Sequence, residues 1–544
     1  MTTTEVDVLI LGGGSAGLCA SVWLARTGIS YRILERRPGM LVNGQADGVQ
    51  VRTVEIFESF GISEELLKEA YHVLEDTFWS DDDNEGSGIK GIRRTHCTPD
   101  TEAGLSHLPH VILNQARINA LLTDEMTRAS GATNIEYGCD VRDVVVDSSL
   151  ADDPEAHCIT VTAVKNGVEQ VYKAKYALGS DGAHSQVRKA LGFKMVGDSS
   201  DEAIIKSKSG NLLIIPREGD SLARMYINLS SSAVAAKDAT LAQLHEKAQQ
   251  IFQPYNMEFA GTAWWSAYVI GQRLNVSLQD GYNIGWKLAA VLRKQATPDL
   301  LKTYVLERQK TAADLIDFDR YWSKLFSTTD KDGRGGITPE LFVKAGRYTA
   351  GLVTRYDDSM ITAAATGQTS LATKLTVGMR FPSAQVVRVG DAKTMWLTKA
   401  LPADSRWHLL VFGGGIQDGD ATKRLHNLAS DLEGLIRTFT PPESDPDSIF
   451  NIILILSSKR ASVELDTVPE TFTPTTGKWK LKIFVDDEDY NNSHGHAYEA
   501  YGIEPSQGAL VVIRPDQYIA QISPLNGVQD VYSFFSRFLK EYDT

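Results

Sequence analysis

The chain has 544 residues, 42% hydrophobic and 23% charged, a composition that excludes extended disorder and provides for roughly two to four domains with substantial cores. Its formal net charge of -14 argues against a surface that tracks nucleic-acid phosphates, so small molecules are the expected partners and nucleic acid is not. No apolar run approaches the roughly 20 residues needed to cross a bilayer, and "MTTTEVDVLILGGG" has neither a basic nor a cleavable apolar leader, so a cytoplasmic or otherwise reducing location away from membranes is expected.

The first predicted unit is "VDVLILGGGSAGLCASVWLARTGISYRILERR". Val6 to Leu11 read as an apolar strand, Gly12, Gly14 and Gly17 form G-x-G-x-x-G, and Leu18 to Thr27 continue as a helix stopped by Gly28. The glycines permit a tight turn, backbone approach to a pyrophosphate and close helix packing, while the helix N-terminus offers unpaired N–H groups to an anion. The next strand, "YRILE", ends on Glu35, where an acid accepts hydrogen bonds from a ribose 2'-hydroxyl. Strand, turn, helix, strand and terminal acid in that order predict a dinucleotide site. Glu35 favours an adenosine with a free 2'-hydroxyl, as in FAD or NAD, and the adjacent Arg36 and Arg37 weaken that preference.

The four cysteines, Cys19, Cys97, Cys139 and Cys158, all precede residue 160 and show no C-x-x-C spacing, which predicts free thiols. "SDDDNEGSG" (80–88) reads as a solvated turn. "DKDGRGG" (330–336) mimics the start of a calcium loop, but Leu341 stands where the twelfth position requires an acid, so it reads as a surface loop. Further on, "RWHLLVFGGG" predicts a strand, "DATKRLHNLASDLEGLIRTF" an amphipathic helix, "FNIILILSS" and "KLKIFV" buried strands, and "ALVVIRPDQYIAQI" a hairpin before a last helix, "VYSFFSRFLKEY". "DDEDYNNSHGH" (486–496) reads as an acidic loop with two incidental histidines rather than a metal site.

Several stretches carry a resemblance. "GQADGVQVRTVEIFESFGI" (44–62), "VILNQARINALL" (111–122), "YALGSDGAHSQVRKALGF" (176–193), "WWSAYVIGQR" (264–273), "DGYNIGWKLAAVL" (280–292) and "YVLERQKTAADLIDFDRYWSKLF" (304–326) are similar, in order, to signatures of the flavin-dependent aromatic hydroxylases, phenol 2-monooxygenase branch. The resemblance implies an α/β fold. An FAD-binding Rossmann-like domain interleaved with a β-rich substrate domain would occupy 1–375, with substrate parts near 76–109 and 196–274, followed by a C-terminal thioredoxin-like domain over 376–544. That last domain has no redox cysteines and is expected to pack on a partner subunit, giving a homodimer.

Carried across, the family pattern implies FAD as cofactor and NAD(P)H as electron donor, with Gly12, Gly14, Gly17 and Glu35 at the adenosine and pyrophosphate and Gln115 as a further flavin contact. Asp181 and Gly182 match its Asp-Gly motif, although Asp181 also suits a turn cap before the helix at Ser185. Asp47 and Tyr268 match its polar pair beside flavin and phenol, although Tyr268 also reads as a core aromatic. The implied reaction is hydroxylation of a phenolic ring by molecular oxygen, in which the protein orients the ring, eases off its proton and excludes water.

One junction departs from the pattern. In the family, a strand ending in Gly-Asp and a His/Pro/Gly loop precede the helix that begins near Asn275; here Leu274 meets Asn275 directly. Three readings follow: an active FAD-dependent monooxygenase, which is the expected one; a noncatalytic scaffold or partner-binding protein of this fold; or a mis-joined transcript of an active enzyme.

Overall fold

The computed structural model describes residues 3–43, 46–81, 92–182, 185–193, 206–207, 210–217, 222–227, 240–253, 255–263, 265, 274–327, 339–363, 370–473, 481–489 and 495–542. The chain opens with strand β1 (Thr3–Leu11), whose Val8 to Leu11 are wholly buried, then helix α1 (Ser15–Arg26) and strand β2 (Tyr31–Glu35). The helix begins three residues earlier than its apolar pattern predicts, because Ser15 to Gly17 already turn helically under the glycine loop. Short strands β3 (Gly48–Val49) and β4 (His110–Ile112) pair antiparallel, and β4 leads into helix α2 (Gln115–Ser130), capped by the Asn114 side chain. Strands β5 (Ile159–Lys165) and β6 (Val168–Gly179) form a hairpin.

These strands build a six-stranded sheet in the order 135–137, β2, β1, β6, β5, 139–146, parallel across its first four members. β6 is the long member. On one flank β1 pairs with it from Val171 to Gly179, and on the other β5 stops at Ala174. Among the described residues no strand meets Lys175 to Gly179 on that second flank, and Tyr176 and Leu178 are only partly buried.

Helix α3 (Leu274–Leu292) lies directly on α1, and two glycines set the distance. A Cβ at Gly281 would sit 2.2 Å from the Ala16 carbonyl oxygen, and one at Gly285 would sit 2.4 Å from the Trp23 ring. Helix α4 (Lys302–Ser327) follows. Strands also occur in the stretches expected to form a substrate domain. The hairpin Glu75–Asp81/Ile92–Pro99 and the strands Gly210–Pro216 and Ala223–Ile227 are described, whereas much of 196–274 lies outside the described residues.

The C-terminal part is a seven-stranded sheet whose centre is Trp407–Gly414 and Phe450–Leu456, both wholly buried, with the amphipathic helix Gly419–Phe439 against it. The predicted hairpin forms as Ala509–Ile513 and Ile519–Ser523, and the last helix is Val528–Phe535. One hydrophobic core runs through both parts, and Trp286 of α3 meets Trp407 edge-on at 5.8 Å. A buried ionic cluster reinforces the join. Glu307 of α4 accepts from Lys287 Nζ at 2.8 Å, Asn283 Nδ2 at 2.8 Å and Arg514 at 2.5 and 3.0 Å, while Arg514 also binds Asp516 at 2.6 Å. Burial opposes the charges of Glu307, Lys287 and Arg514. The two cations outweigh it at Glu307 and hold its carboxyl down to about 2, whereas at Lys287 burial wins and pulls the ammonium down to about 8.

Candidate functional site

The glycine turn between β1 and α1 is shaped by what crowds it. Gly12 has φ +109°, and a Cβ there would lie 2.5 Å from the Ser180 carbonyl oxygen; a Cβ at Gly17 would lie 2.6 Å from the Gly12 carbonyl oxygen. Gly14 is the N-cap of α1, with no described side chain capping the helix and no acid in its first turn, so the positive end of a twelve-residue helix opens at this point. Glu35 is buried and its carboxylate accepts from the Gly13 N–H at 2.7 Å and from Arg37 N and Nε at 2.8 and 3.0 Å. Burial alone would push its carboxyl up; Arg37 and the Gly13 amide outweigh that and hold it below the ordinary value.

The stretch after β6 closes over this turn. Ser180 donates from its amide to Leu11 O at 2.8 Å and from its hydroxyl to Gly12 O at 2.7 Å, placing Asp181 and Gly182 beside the glycines, with Gly182 at φ +83°. Asp181 Oδ2 accepts from Gln186 N at 2.7 Å and Val187 N at 3.3 Å, so the carboxylate caps the short helix Gln186–Ala190, the cap reading of this residue.

Asp47 lies just before β3 with 3% exposure. Its carboxylate is gripped by Arg217 and Arg224, the latter at 2.8 Å, and the Tyr226 hydroxyl stands 3.5 Å from its other oxygen. Arg224 also donates to the Tyr226 hydroxyl at 3.1 Å and lies over that ring. None of these three residues is marked out by the family pattern, which in this stretch implies only a β-rich substrate part. The signal was present: Arg224 and Tyr226 stand two apart on one strand and therefore share a face. Tyr268, the expected partner of Asp47, lies outside the described residues.

Two side chains from elsewhere hold the Asp47 segment. Gln115 accepts from Ala46 N at 3.3 Å and its amide nitrogen reaches the Ser15 hydroxyl at 3.3 Å. Asn275, in the first turn of α3 at the unusual junction, accepts from Gln50 N at 2.9 Å and donates to Gly48 O at 3.0 Å. The structure thus brings Gly12, Gly14, Gly17, Glu35, Gln115, Asp181 and Gly182 around one turn and connects that turn to Asp47. The uncapped helix end and a backbone too crowded for any Cβ at Gly12 fit the pyrophosphate half of a dinucleotide.

Comparison with known proteins gives this geometry a setting. Residues 5–257 and 267–319 match the family described as FAD binding domain, and residues 354–543 match the family described as phenol hydroxylase, C-terminal dimerisation domain. The chain is 45% identical to the FAD-dependent monooxygenase terD of Aspergillus terreus (strain NIH 2624 / FGSC A1156) over 601 aligned positions, covering 99% of this chain and 97% of that one. It is 38% identical to 3-hydroxybenzoate 4-monooxygenase of Comamonas testosteroni, covering 99% and 95%. In fold it is similar to the flavin-dependent monooxygenase PieE in complex with FAD and substrate, with TM-score 0.66 and 18% identity over 98% of each chain. An alignment of 601 positions against 544 residues leaves at least 57 positions (601 less 544) where the relative has a residue and this chain has none. The FAD-domain match is itself interrupted at 258–266, just ahead of the Leu274–Asn275 junction.

Proposed function

Because the chain belongs to the flavin-dependent aromatic hydroxylases, we propose that it hydroxylates a phenolic or related aromatic substrate with NAD(P)H and O2, holding FAD at Gly12, Gly14, Gly17, Glu35, Gln115, Asp181 and Gly182. The observation that carries this reading is the buried Asp47 carboxylate, set between two guanidiniums and a tyrosine hydroxyl and tied through Gln115 to the dinucleotide turn.

Bound FAD supplies the activation and transfer of oxygen, chemistry that no side chain at the site offers. The chain's own residues handle the ring and its proton. A phenol hydroxyl beside Asp47 donates to the carboxylate, and once that proton rests on a carboxylate oxygen, Arg217 and Arg224 face the negative ring oxygen and stabilise it. Charge on that oxygen enriches the ortho carbon in electrons, which is the position such a site prepares. Tyr226 orients the hydroxyl from the side, and Tyr268 is proposed as a further phenol contact on the family pattern. Burial of Asp47 keeps water from competing for the same proton.

The 354–543 match supports a homodimer, and four unpaired cysteines with no described helix long and apolar enough to cross a membrane support a cytoplasmic assignment. The reading is tested by purifying the protein, releasing its flavin by denaturation, and following NADH and NADPH oxidation and oxygen incorporation with a panel of phenols that begins with 3-hydroxybenzoate. Yellow protein with substrate-stimulated oxidation is expected. A second reading, a member of this fold that has left flavin chemistry, is favoured by the flank of β6 that no described strand meets and by the missing positions, and folded protein that binds no FAD would select it.

A further inference from the structure

We propose that Gln115, beyond the flavin contact proposed for it above, acts as a positioning residue that couples the dinucleotide turn to Asp47, so that occupancy of one site sets the backbone of the other. Its significance for catalysis rests on the function proposed above, but the coupling itself is a property of the chain alone. The side chain is bivalent: an amide carbonyl accepts and an amide nitrogen donates, and here the two ends face different sites. Gln115 Oε1 accepts from Ala46 N at 3.3 Å while Gln115 N donates to Ala46 O at 3.2 Å, so one residue holds both peptide groups of Ala46. Asp47 follows immediately, its own carbonyl accepting from Leu113 N at 2.9 Å.

The other end runs to the turn. Gln115 Nε2 donates to Ser15 Oγ at 3.3 Å, and Ser15, the first residue of α1, donates onward to Asn119 Oδ1 at 2.7 Å. The direction of every bond in this chain is fixed, because the Asn119 carbonyl oxygen can only accept and the Ala46 N–H can only donate. Ser15 and Asn119 are each 5% exposed, so water offers no ready substitute for a lost link. Ser15 stands in the first turn of the helix whose open N-terminus suits an anion, so an anion held by the backbone N–H groups of that turn would bear on the backbone that carries the Ser15 hydroxyl. A shift there reaches Ala46 through one rigid amide. The opposite side of the Asp47 segment is held by Asn275 through Gly48 O and Gln50 N, so the Ala46 end is the one whose described side-chain contact leads to the turn.

The test is a two-residue cycle read by amide hydrogen exchange on the full-length protein. Ser15→Ala and Gln115→Met, which removes both bonds while keeping length and volume, are made singly and together, and exchange is followed in the peptide spanning residues 46–50 without ligand. Each single change is expected to speed exchange there by about 2- to 10-fold, the effect of one or two lost neutral hydrogen bonds. The double variant is expected to match Gln115→Met, since among the described contacts Ser15 reaches this peptide through Gln115. Additive effects, or a Ser15→Ala change that leaves 46–50 untouched, would overturn the coupling. With FAD present, the wild type is expected to slow exchange at 46–50 and Gln115→Met is not; in turnover with 3-hydroxybenzoate, Gln115→Met is expected to lower kcat more than it raises the FAD dissociation constant. A wild type that takes up no FAD removes the proposed function, while the ligand-free cycle still decides the coupling on its own.

Discussion

Replacing Glu307 by alanine should loosen the junction between the two halves of the molecule. The side chain is 2% exposed and receives four hydrogen bonds from three residues, two of them cations. Its loss leaves Arg514 with the Asp516 carboxylate and, at 3.4 Å, the Thr362 hydroxyl, and leaves Lys287 with the Asn283 carbonyl. Breaking a buried pair by removing one partner costs about 3–5 kcal/mol. Lys287 can lessen this by releasing its proton, already eased by burial, whereas a guanidinium cannot, so the lower end, about 3 kcal/mol or roughly a hundredfold in the unfolding equilibrium, is expected near pH 7. Trp286 neighbours Lys287 and touches Trp407 of the other half, so tryptophan emission during urea unfolding reads the affected contact. Glu307→Ala should shift the midpoint by that amount, and Glu307→Leu combined with Lys287→Met should recover most of it, because an apolar pair leaves no unpaired charge. A loss under about 1 kcal/mol in the single variant would show that the cluster behaves as a solvated surface pair and would refute the reasoning.

Asp76 has its carboxyl pushed up to about 6, first by burial and then by Asp100, with His110 opposing. A folded value above the unfolded 3.8 contributes stability that is complete below pH 3.8 and lost as pH rises through about 6, so Asp76→Asn should gain in Tm over the wild type across that window and hold the gain at higher pH. Gly281→Ala would drive a Cβ to 2.2 Å from a backbone oxygen of α1, and a cost of about 1–3 kcal/mol is expected with weaker FAD retention; Gly434→Ala, with nothing within 4 Å, serves as the harmless control in the same melts. Glu35→Ala should lower FAD affinity in a fluorescence titration, and an unchanged curve would remove Glu35 from the adenosine site. Asp47→Ala should slow hydroxylation in rapid-reaction kinetics more than it weakens FAD binding; normal product yield would take Asp47 out of the mechanism.

Much of this molecule could be read before its structure, and the reason is locality. The turn at Gly12 to Gly17 and the acid at Glu35 are separated by one helix and one strand, so spacing alone places them together, and the structure adds the Ser180 contact that makes glycine obligatory. The strand and helix order after residue 400 was legible for the same reason, since period and apolar content decide each element independently. Asp47 is singled out by resemblance, but its guanidinium partners are not, because Arg217 and Arg224 lie some 170 positions away and no periodicity links them to it. The cluster at Glu307 was equally hidden. Lys287 and Glu307 are ordinary helix residues by pattern, and only the hairpin turn that carries Arg514 and Asp516 across the molecule turns them from surface charges into buried ones.

The flank of β6 from Lys175 to Gly179 provides a built-in chemical reporter. Its first carbonyl, that of Lys175, is met by a thiol: Cys158 Sγ lies 3.8 Å from it, half-buried, while Cys19 and Cys139 are buried in cores. Cys19 and Cys139 are shut away from reagent, which leaves Cys158 and the exposed Cys97 as the residues a maleimide would reach first. With Cys97 replaced by serine, the labelling rate of Cys158 becomes a direct readout of whether anything lies along that flank. A lengthened chain that restores the relatives' internal residues, or a peptide offered in trans, would announce its arrival by protecting one native sulfur, with no foreign probe added to the protein.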